Sequence, residues 1–202
     1  MIGLRKKIMV LVTALVLVVV GGCGNGNQQT AKAAQPEQAP QATAAKTDNK
    51  VIFVNASRSA KGNTYKMGEA FLAGVTHETV FLNDYKIYQL GQNFPDDQLK
   101  EVLKKLEAAD TIVIGSPVYW HTMSGPLKTF IDRLYPLEKP VKALAGKKLY
   151  FLLQGAAPSQ ETLKQTPYIM SRVANQYDMK YMGAVTDPGD MNDLKAVLKK
   201  NL

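Results

Sequence analysis

Residues 112–136, IVIGSPVYWHTMSGPLKTFIDRLYP, constrain the fold more than any other part of this chain. Thr111-Ile112-Val113-Ile114 is an apolar run that stops at Gly115. A run without alternation marks a strand covered on both faces, the kind found in parallel sheets. A polar and aromatic loop is expected at 116–124. An amphipathic helix is expected at 124–135, with Leu127, Phe130, Ile131 and Leu134 on one face. A buried strand that opens into a loop and turns into a helix is where doubly wound α/β proteins place ligands. Tyr119-Trp120 in such a loop suits a flat ring better than a sugar or a metal.

The same alternation runs through the rest of the folded region. Strands are expected at 50–54, 77–82, 111–114, 148–153 and 181–185. Helices are expected at about 65–72, 96–109, 124–135, 161–177 and 193–200, with 84–94 as a connecting stretch. The second helix follows Pro95 and carries Leu99, Val102, Leu103 and Leu106 at helical spacing. Pro167 should kink the fourth helix or split it, because proline lacks the N–H and its ring meets the carbonyl four residues back. Strands alternating with helices imply a parallel sheet covered on both faces. Roughly 150 residues suffice for one such domain with a real core.

The loop after the first strand reads Asn55-Ala56-Ser57-Arg58-Ser59-Ala60-Lys61-Gly62-Asn63-Thr64. Helix N-termini offer free N–H groups and the positive end of a dipole, and so bind phosphate. Ser57, Ser59, Asn63 and Thr64 add side-chain donors. An ordinary capping turn is the alternative reading of the same residues. The chain has no G-x-G-x-x-G after this strand and no G-K-[ST], so it carries neither a Rossmann fingerprint nor a P-loop.

Together the two segments resemble the flavodoxin-like superfamily, specifically its NAD(P)H-dependent FMN reductase and quinone reductase branch. The matching residues are Ser57-Arg58-Ser59 with Gly62-Asn63-Thr64, then Gly115-Ser116-Pro117-Val118-Tyr119-Trp120, Met123-Ser124-Gly125-Pro126-Leu127-Lys128 and Phe130-Ile131-Asp132-Arg133. The resemblance covers the chain from about Lys50 to its end. It implies an α/β three-layer sandwich with a five-stranded parallel sheet in the order 2-1-3-4-5, helices on both faces, and FMN at the switch point. It implies that Ser57, Arg58, Ser59, Gly62, Asn63 and Thr64 hold the FMN phosphate. Ser116, Pro117, Val118, Tyr119, Trp120, His121 and Ser124 would line the isoalloxazine, and Gln154 and Gly155 would form a third flavin loop. NAD(P)H is the implied co-substrate and a quinone the implied acceptor, with homodimer assembly left open. Members with an iron–sulfur cluster carry a cysteine cluster between these motifs. This chain has none, which sets that subclass aside.

Each site residue has a plainer reading. Tyr119 and Trp120 could be core, although a loop tryptophan usually covers something. His121 is a candidate proton donor or substrate contact, or simply polar surface; no other catalytic side chain stands out. No spacing of His, Cys, Asp or Glu suggests a metal, and the serines lack a G-x-S-x-G signature. Asp132 and Arg133 are expected to pair or cap on their helix. Met123, Met170 and Met179 are expected to fill core gaps.

The N-terminus reads differently. Residues 1–22 carry Arg5, Lys6 and Lys7 before an apolar run, 8–20, as in an export signal. That run is short for a membrane span. Val20-Gly21-Gly22-Cys23 resembles a bacterial lipobox, which implies cleavage before Cys23 and lipidation of it; an uncleaved anchor or a plain secretory signal are the alternatives. Cys23 is the only cysteine, so no intramolecular disulfide can form. Residues 23–49, rich in Gln, Ala, Asn, Thr and Pro, cannot bury enough apolar surface to offset ordering entropy. They read as a disordered tether spanning roughly 25–30 Å root-mean-square. Residues 50–202 are then one FMN domain, held by lipid to a bacterial membrane on its extracytoplasmic side, in the cell envelope.

The chain carries a formal charge of +8. Loss of Arg5, Lys6 and Lys7 would leave +5. The lysines fall mostly on predicted helix faces, and no basic run interleaves with aromatics as single-strand nucleic-acid binders require. The functional reading is an FMN-dependent oxidoreductase passing electrons from NAD(P)H, or from a membrane donor, to a quinone or similar acceptor. A flavodoxin-type one-electron carrier and a non-catalytic flavin-binding module are the alternatives. The basic charge weighs against the acidic docking face of a carrier.

Overall fold

The computed structural model describes residues 49–136 and 140–202; the expected signal, Cys23 and most of the tether lie outside the described residues. The elements in order are β1 (Val51–Asn55), α1 (Asn63–Phe71), β2 (His77–Phe81), a 3₁₀ turn (Leu82–Asp84), α2 (Leu99–Glu107), β3 (Thr111–Tyr119), β4 (Thr122–Met123) and α3 (Gly125–Leu134). Then come α4 (Pro140–Leu144), β5 (Lys148–Gln154), α5 (Gln160–Gln176), β6 (Lys180–Val185) and α6 (Asp190–Asn201). The strands lie in the order β2-β1-β3-β5-β6, all parallel. This is the expected flavodoxin-like order. The sixth strand, β4, is an antiparallel two-residue addition to β3.

Strand alternation sorts the core into two layers. Ile52, Val54, Ile112, Ile114, Leu149, Phe151 and Leu153 face one side of the sheet, with Val102 and Leu106 of α2, Leu127 and Phe130 of α3, and Met170 of α5. Val51, Phe53, Val113, Tyr150 and Leu152 face the other, with Phe71 of α1 and Leu194 and Leu198 of α6. The 3.6-residue spacing of Leu99, Val102, Leu103 and Leu106, and of Leu127, Phe130, Ile131 and Leu134, supplies the apolar stripes of α2 and α3. Asn49 is already part of the fold. Its amide donates to the Asn201 carbonyl at 3.1 Å, and its oxygen accepts from Thr111 Oγ1 at 3.0 Å.

Three expectations need correction. The loop expected at 116–124 does not leave the sheet at Gly115. β3 runs on to Tyr119, because Ser116 and Pro117 stay in register with Leu153 and Gln154. Pro117 is the last residue on that ladder, where a missing N–H does least harm. Second, α5 runs unbroken through Pro167. A core-facing row of Thr162, Thr166, Met170 and Ala174 spans the proline and holds both halves on one axis. Third, Asp132 and Arg133 do not pair with each other. Asp132 pairs with Lys128 one turn back at 2.7 Å. Arg133 reaches Asp97 Oδ2 at 2.6 Å and the Tyr88 carbonyl at 2.9 Å, stapling the long loop after β2 against α3. Burial pulls the Asp97 carboxyl up, but the Arg133 guanidinium and the N–H groups of Leu99 and Tyr88 outweigh it and hold it below its ordinary value.

Candidate functional site

In a parallel sheet every loop leaving a strand's C-terminal end emerges at the same edge. Here the loops after β1, β3 and β5 meet there. The first begins with Ala56, whose N–H donates to the Gly115 carbonyl at 2.9 Å. Asn55 Oδ1 then accepts from Ser57 N at 3.0 Å, and Ser57 Oγ accepts from Ser59 N at 3.2 Å, so two side chains curl the loop. The turn is tight: a Cβ on Gly62 would lie 2.9 Å from the Ser59 Cβ. α1 then starts with no side-chain cap, whereas Ser124 and Ser159 cap α3 and α5. The leading N–H groups of α1 therefore lack a side-chain acceptor. Arg58, Ser59, Lys61 and Asn63 are exposed beside them, and neither cation makes an ion pair among the described residues. Asn55 Nδ2 is buried without a partner, a spare donor at the base of the loop.

The second loop is a hairpin. Val118 pairs with Met123 and Tyr119 with Thr122, leaving Trp120 and His121 as a two-residue turn. Both have positive φ, 48° and 59°. That is the requirement of a type I′ turn, for which Asn-Gly is the usual sequence. Bulky residues in this region cost about 1–3 kcal/mol each and concentrate at functional sites. Trp120 is 96 % exposed and Tyr119 41 %. Neither is core.

The third loop, 155–158, is Gly-Ala-Ala-Pro and faces the hairpin. Val118, Trp120, His121, Gly155, Ala156, Ala157 and Pro158 enclose an open cleft of about 250 Å³. Gly155 is required by the close approach of the two loops, since a Cβ there would lie 2.9 Å from the Val118 Cβ. A larger hollow of about 780 Å³ lies at the opposite edge of the sheet, around Lys50, Gly74, Thr76 and Ala108. It has no helix N-terminus or aromatic turn of this kind.

The structure divides the expected site residues by place. Ser57, Arg58, Ser59, Gly62 and Asn63 surround the N-terminus of α1, and Val118, Trp120, His121 and Gly155 line the cleft, with Tyr119 beside it on β3. The side chains of Thr64, Ser116 and Ser124 are turned into the protein. All three residues are fully buried, and their hydroxyls serve as struts. Thr64 Oγ1 accepts from Gln154 Nε2 at 3.1 Å, tying the first loop to the third. Ser116 Oγ accepts from Ser124 N at 2.9 Å, and Ser124 Oγ donates to the Ala56 carbonyl at 2.7 Å, tying the first loop to the second. Pro117 is buried as well, so the strand end offers backbone rather than side chain. Thr162, which sequence reasoning did not single out, donates to the His121 carbonyl at 2.7 Å. No signal marked it, since it lies 41 residues from its partner.

A model of the NADPH-dependent FMN reductase family matches residues 49–186. The chain is 35% identical over 102 residues to an iron–sulfur flavoprotein of Methanocaldococcus jannaschii, covering 44% of this chain and 53% of that one. It is 32% identical over 96 residues to an FMN-dependent NADH:quinone oxidoreductase of Pseudoalteromonas atlantica, covering 40% and 48%. The chain spans about half the length of the curated relatives it matches. An apo NADH:FMN oxidoreductase superposes with a TM-score of 0.60 at 22% identity, over 76% of this chain and 90% of that one. At that identity the likeness establishes the fold.

Proposed function

Because the chain belongs to the NADPH-dependent FMN reductase family, we propose that it is an FMN-dependent oxidoreductase drawing electrons from NAD(P)H, or from a membrane donor, and passing them to a quinone or similar small acceptor. The observation that carries this reading is the N-terminus of α1, free of a side-chain cap and ringed by hydroxyls and by two cations with no ion pair among the described residues, at the same sheet edge as the exposed Trp120 turn. The donor set fits a phosphate-bearing flat ring. The N–H groups of α1, with Ser57, Ser59, Asn63 and Arg58, would hold the phosphate. The Trp120 turn and the small residues 155–158 would take the ring between them. FMN, when bound, supplies the two-electron chemistry.

The residues of the chain bind, orient and shield. Backbone N–H groups at the end of β3 offer preorganised donors to negative charge developing on a bound ring. The Gln154, Thr64, Ser116 and Ser124 bonds keep the three loops at fixed spacing, so a ring bound by one loop meets the others without reorganisation. The cleft is open to solvent on one side, which lets a donor and an acceptor occupy it in turn. On the same reading, the lipobox-like Val20-Gly21-Gly22-Cys23 anchors the enzyme at the cell envelope. Mass spectrometry of the N-terminal peptide, compared with Cys23→Ser, tests the anchor.

Calorimetric titration of the full chain with FMN and with riboflavin tests the site. FMN should bind and develop visible flavin absorption, and riboflavin should bind more weakly. Ser59→Ala should weaken FMN by about 1–3 kcal/mol, the range for a charge-assisted bond, and leave riboflavin unchanged. A colourless chain that binds neither flavin would overturn the reading. Anaerobic titration with NADH and NADPH then identifies whether either nicotinamide reduces the bound flavin.

A further inference from the structure

We propose that Thr162 is a positioning residue: from the first turn of α5 it holds the tip of the β3–β4 hairpin, and with it Trp120, in the geometry that walls the cleft. The tip has little else to hold it. The hairpin has only two residue pairs, fewer than a hairpin needs for stability of its own. Both tip residues are non-glycine at positive φ, which favours relaxation to another turn. The Trp120 side chain is 96 % exposed, so its own packing does not fix its place.

What remains is one lateral bond. Thr162 Oγ1 donates to the His121 carbonyl at 2.7 Å, and among the described residues no other hydrogen bond reaches Trp120 or His121 from outside the hairpin. Thr162 is 2 % exposed, so the donor end of this bond is buried although His121 itself is exposed. Its hydroxyl is oriented in turn. With its proton committed to His121, it accepts from Ser159 Oγ at 3.1 Å, while Ser159 Oγ accepts the Thr162 N–H at 3.2 Å as the cap of α5. A helix cap is thereby wired to a strained aromatic turn. The consequence for flavin rests on the function proposed above; the strut itself does not.

The chain has a single tryptophan, so its fluorescence reports on Trp120 alone. Time-resolved anisotropy of the ligand-free full chain should show more local motion of Trp120 in Thr162→Val than in wild type, and Thr162→Ser, which keeps the hydroxyl, should restore wild-type behaviour. FMN affinity, read by calorimetry and by quenching of Trp120, should fall about fivefold in Thr162→Val, the equivalent of one net hydrogen bond, and recover in Thr162→Ser. Unchanged anisotropy in Thr162→Val overturns the strut. A loosened tip with unchanged FMN affinity overturns its positioning role. A wild-type chain that binds no FMN refutes the flavin reading, while the anisotropy comparison still decides the strut. Should Thr162→Val fail to fold, Thr162→Ala takes its place: it also removes the hydroxyl that donates to the His121 carbonyl, and unchanged Trp120 motion there would equally overturn the proposal.

Discussion

Gly68→Ala sets two effects of opposite sign against each other. Gly68 lies in the middle of α1, where alanine is favoured over glycine by about 1 kcal/mol. By propensity alone the substitution stabilises. The packing reverses this. An added Cβ would stand 2.2 Å from Phe53 Cζ and 2.3 Å from Cε1, where ordinary contact begins at 3.4 Å. Phe53 cannot swing aside. It is fully buried on β1, and a Cβ on Gly115 would also meet its ring at 2.9 Å, so the ring already fills the space that two glycines leave. Overpacking of this kind costs about 1–3 kcal/mol, and an overlap beyond 1 Å belongs at or above the upper end. The net is destabilisation by about 2 kcal/mol, which lowers Tm by roughly 4–8 °C for a domain of this size. Because the loop proposed to hold the phosphate leads into α1, FMN affinity should fall with it. Thermal and urea unfolding of Gly68→Ala, Phe53→Leu and the double variant measure the coupling, and the smaller aliphatic side chain should recover part of the loss. A Gly68→Ala protein that melts at or above the wild-type temperature would refute the packing argument.

Three other perturbations probe separate links. Asp97→Asn should destabilise by about 1.5–3 kcal/mol at neutral pH, the range for a hydrogen bond to a charged group. The folded Asp97 carboxyl lies below its ordinary value, so the stability it contributes is complete above the unfolded value and is lost as pH falls through the folded one; urea midpoints across the acid range should flatten in the variant, and parallel profiles would count against the pair. Gln154→Leu leaves the buried Thr64 hydroxyl without its partner and should cost about 1–3 kcal/mol of stability, read by urea unfolding, with weaker FMN binding read by calorimetry. Trp120→Gly relaxes a positive φ, worth about 1 kcal/mol or more, while removing the aromatic wall; Tm should hold or rise as FMN affinity falls, and a parallel loss of both would show that Trp120 is structural.

The sequence alone determined the layers, the strand order through family resemblance, and the edge at which the loops meet. Periods of two and of 3.6 are local properties, so Ile112, Val113 and Ile114 announced a two-sided strand, and Leu127, Phe130, Ile131 and Leu134 a helix face. The motif at 57–64 was legible because helix starts and turns use a small set of residues. The hairpin was not legible. Tyr119-Trp120-His121-Thr122 lacks the Asn-Gly that marks a two-residue turn, and only the β5 ladder shows β3 running past Gly115. The division of the polar residues into exposed loop groups and buried struts was decided by tertiary structure too. Thr64 and Gln154 are 90 residues apart, Ser124 and Ala56 68, Thr162 and His121 41. A hydroxyl's role depends on which acceptor the fold brings within about 3 Å of it, and that is set by how layers stack rather than by neighbours in the chain. Phe53 shows the same limit: its ring dictates glycine at 68 and 115, and only packing reveals why.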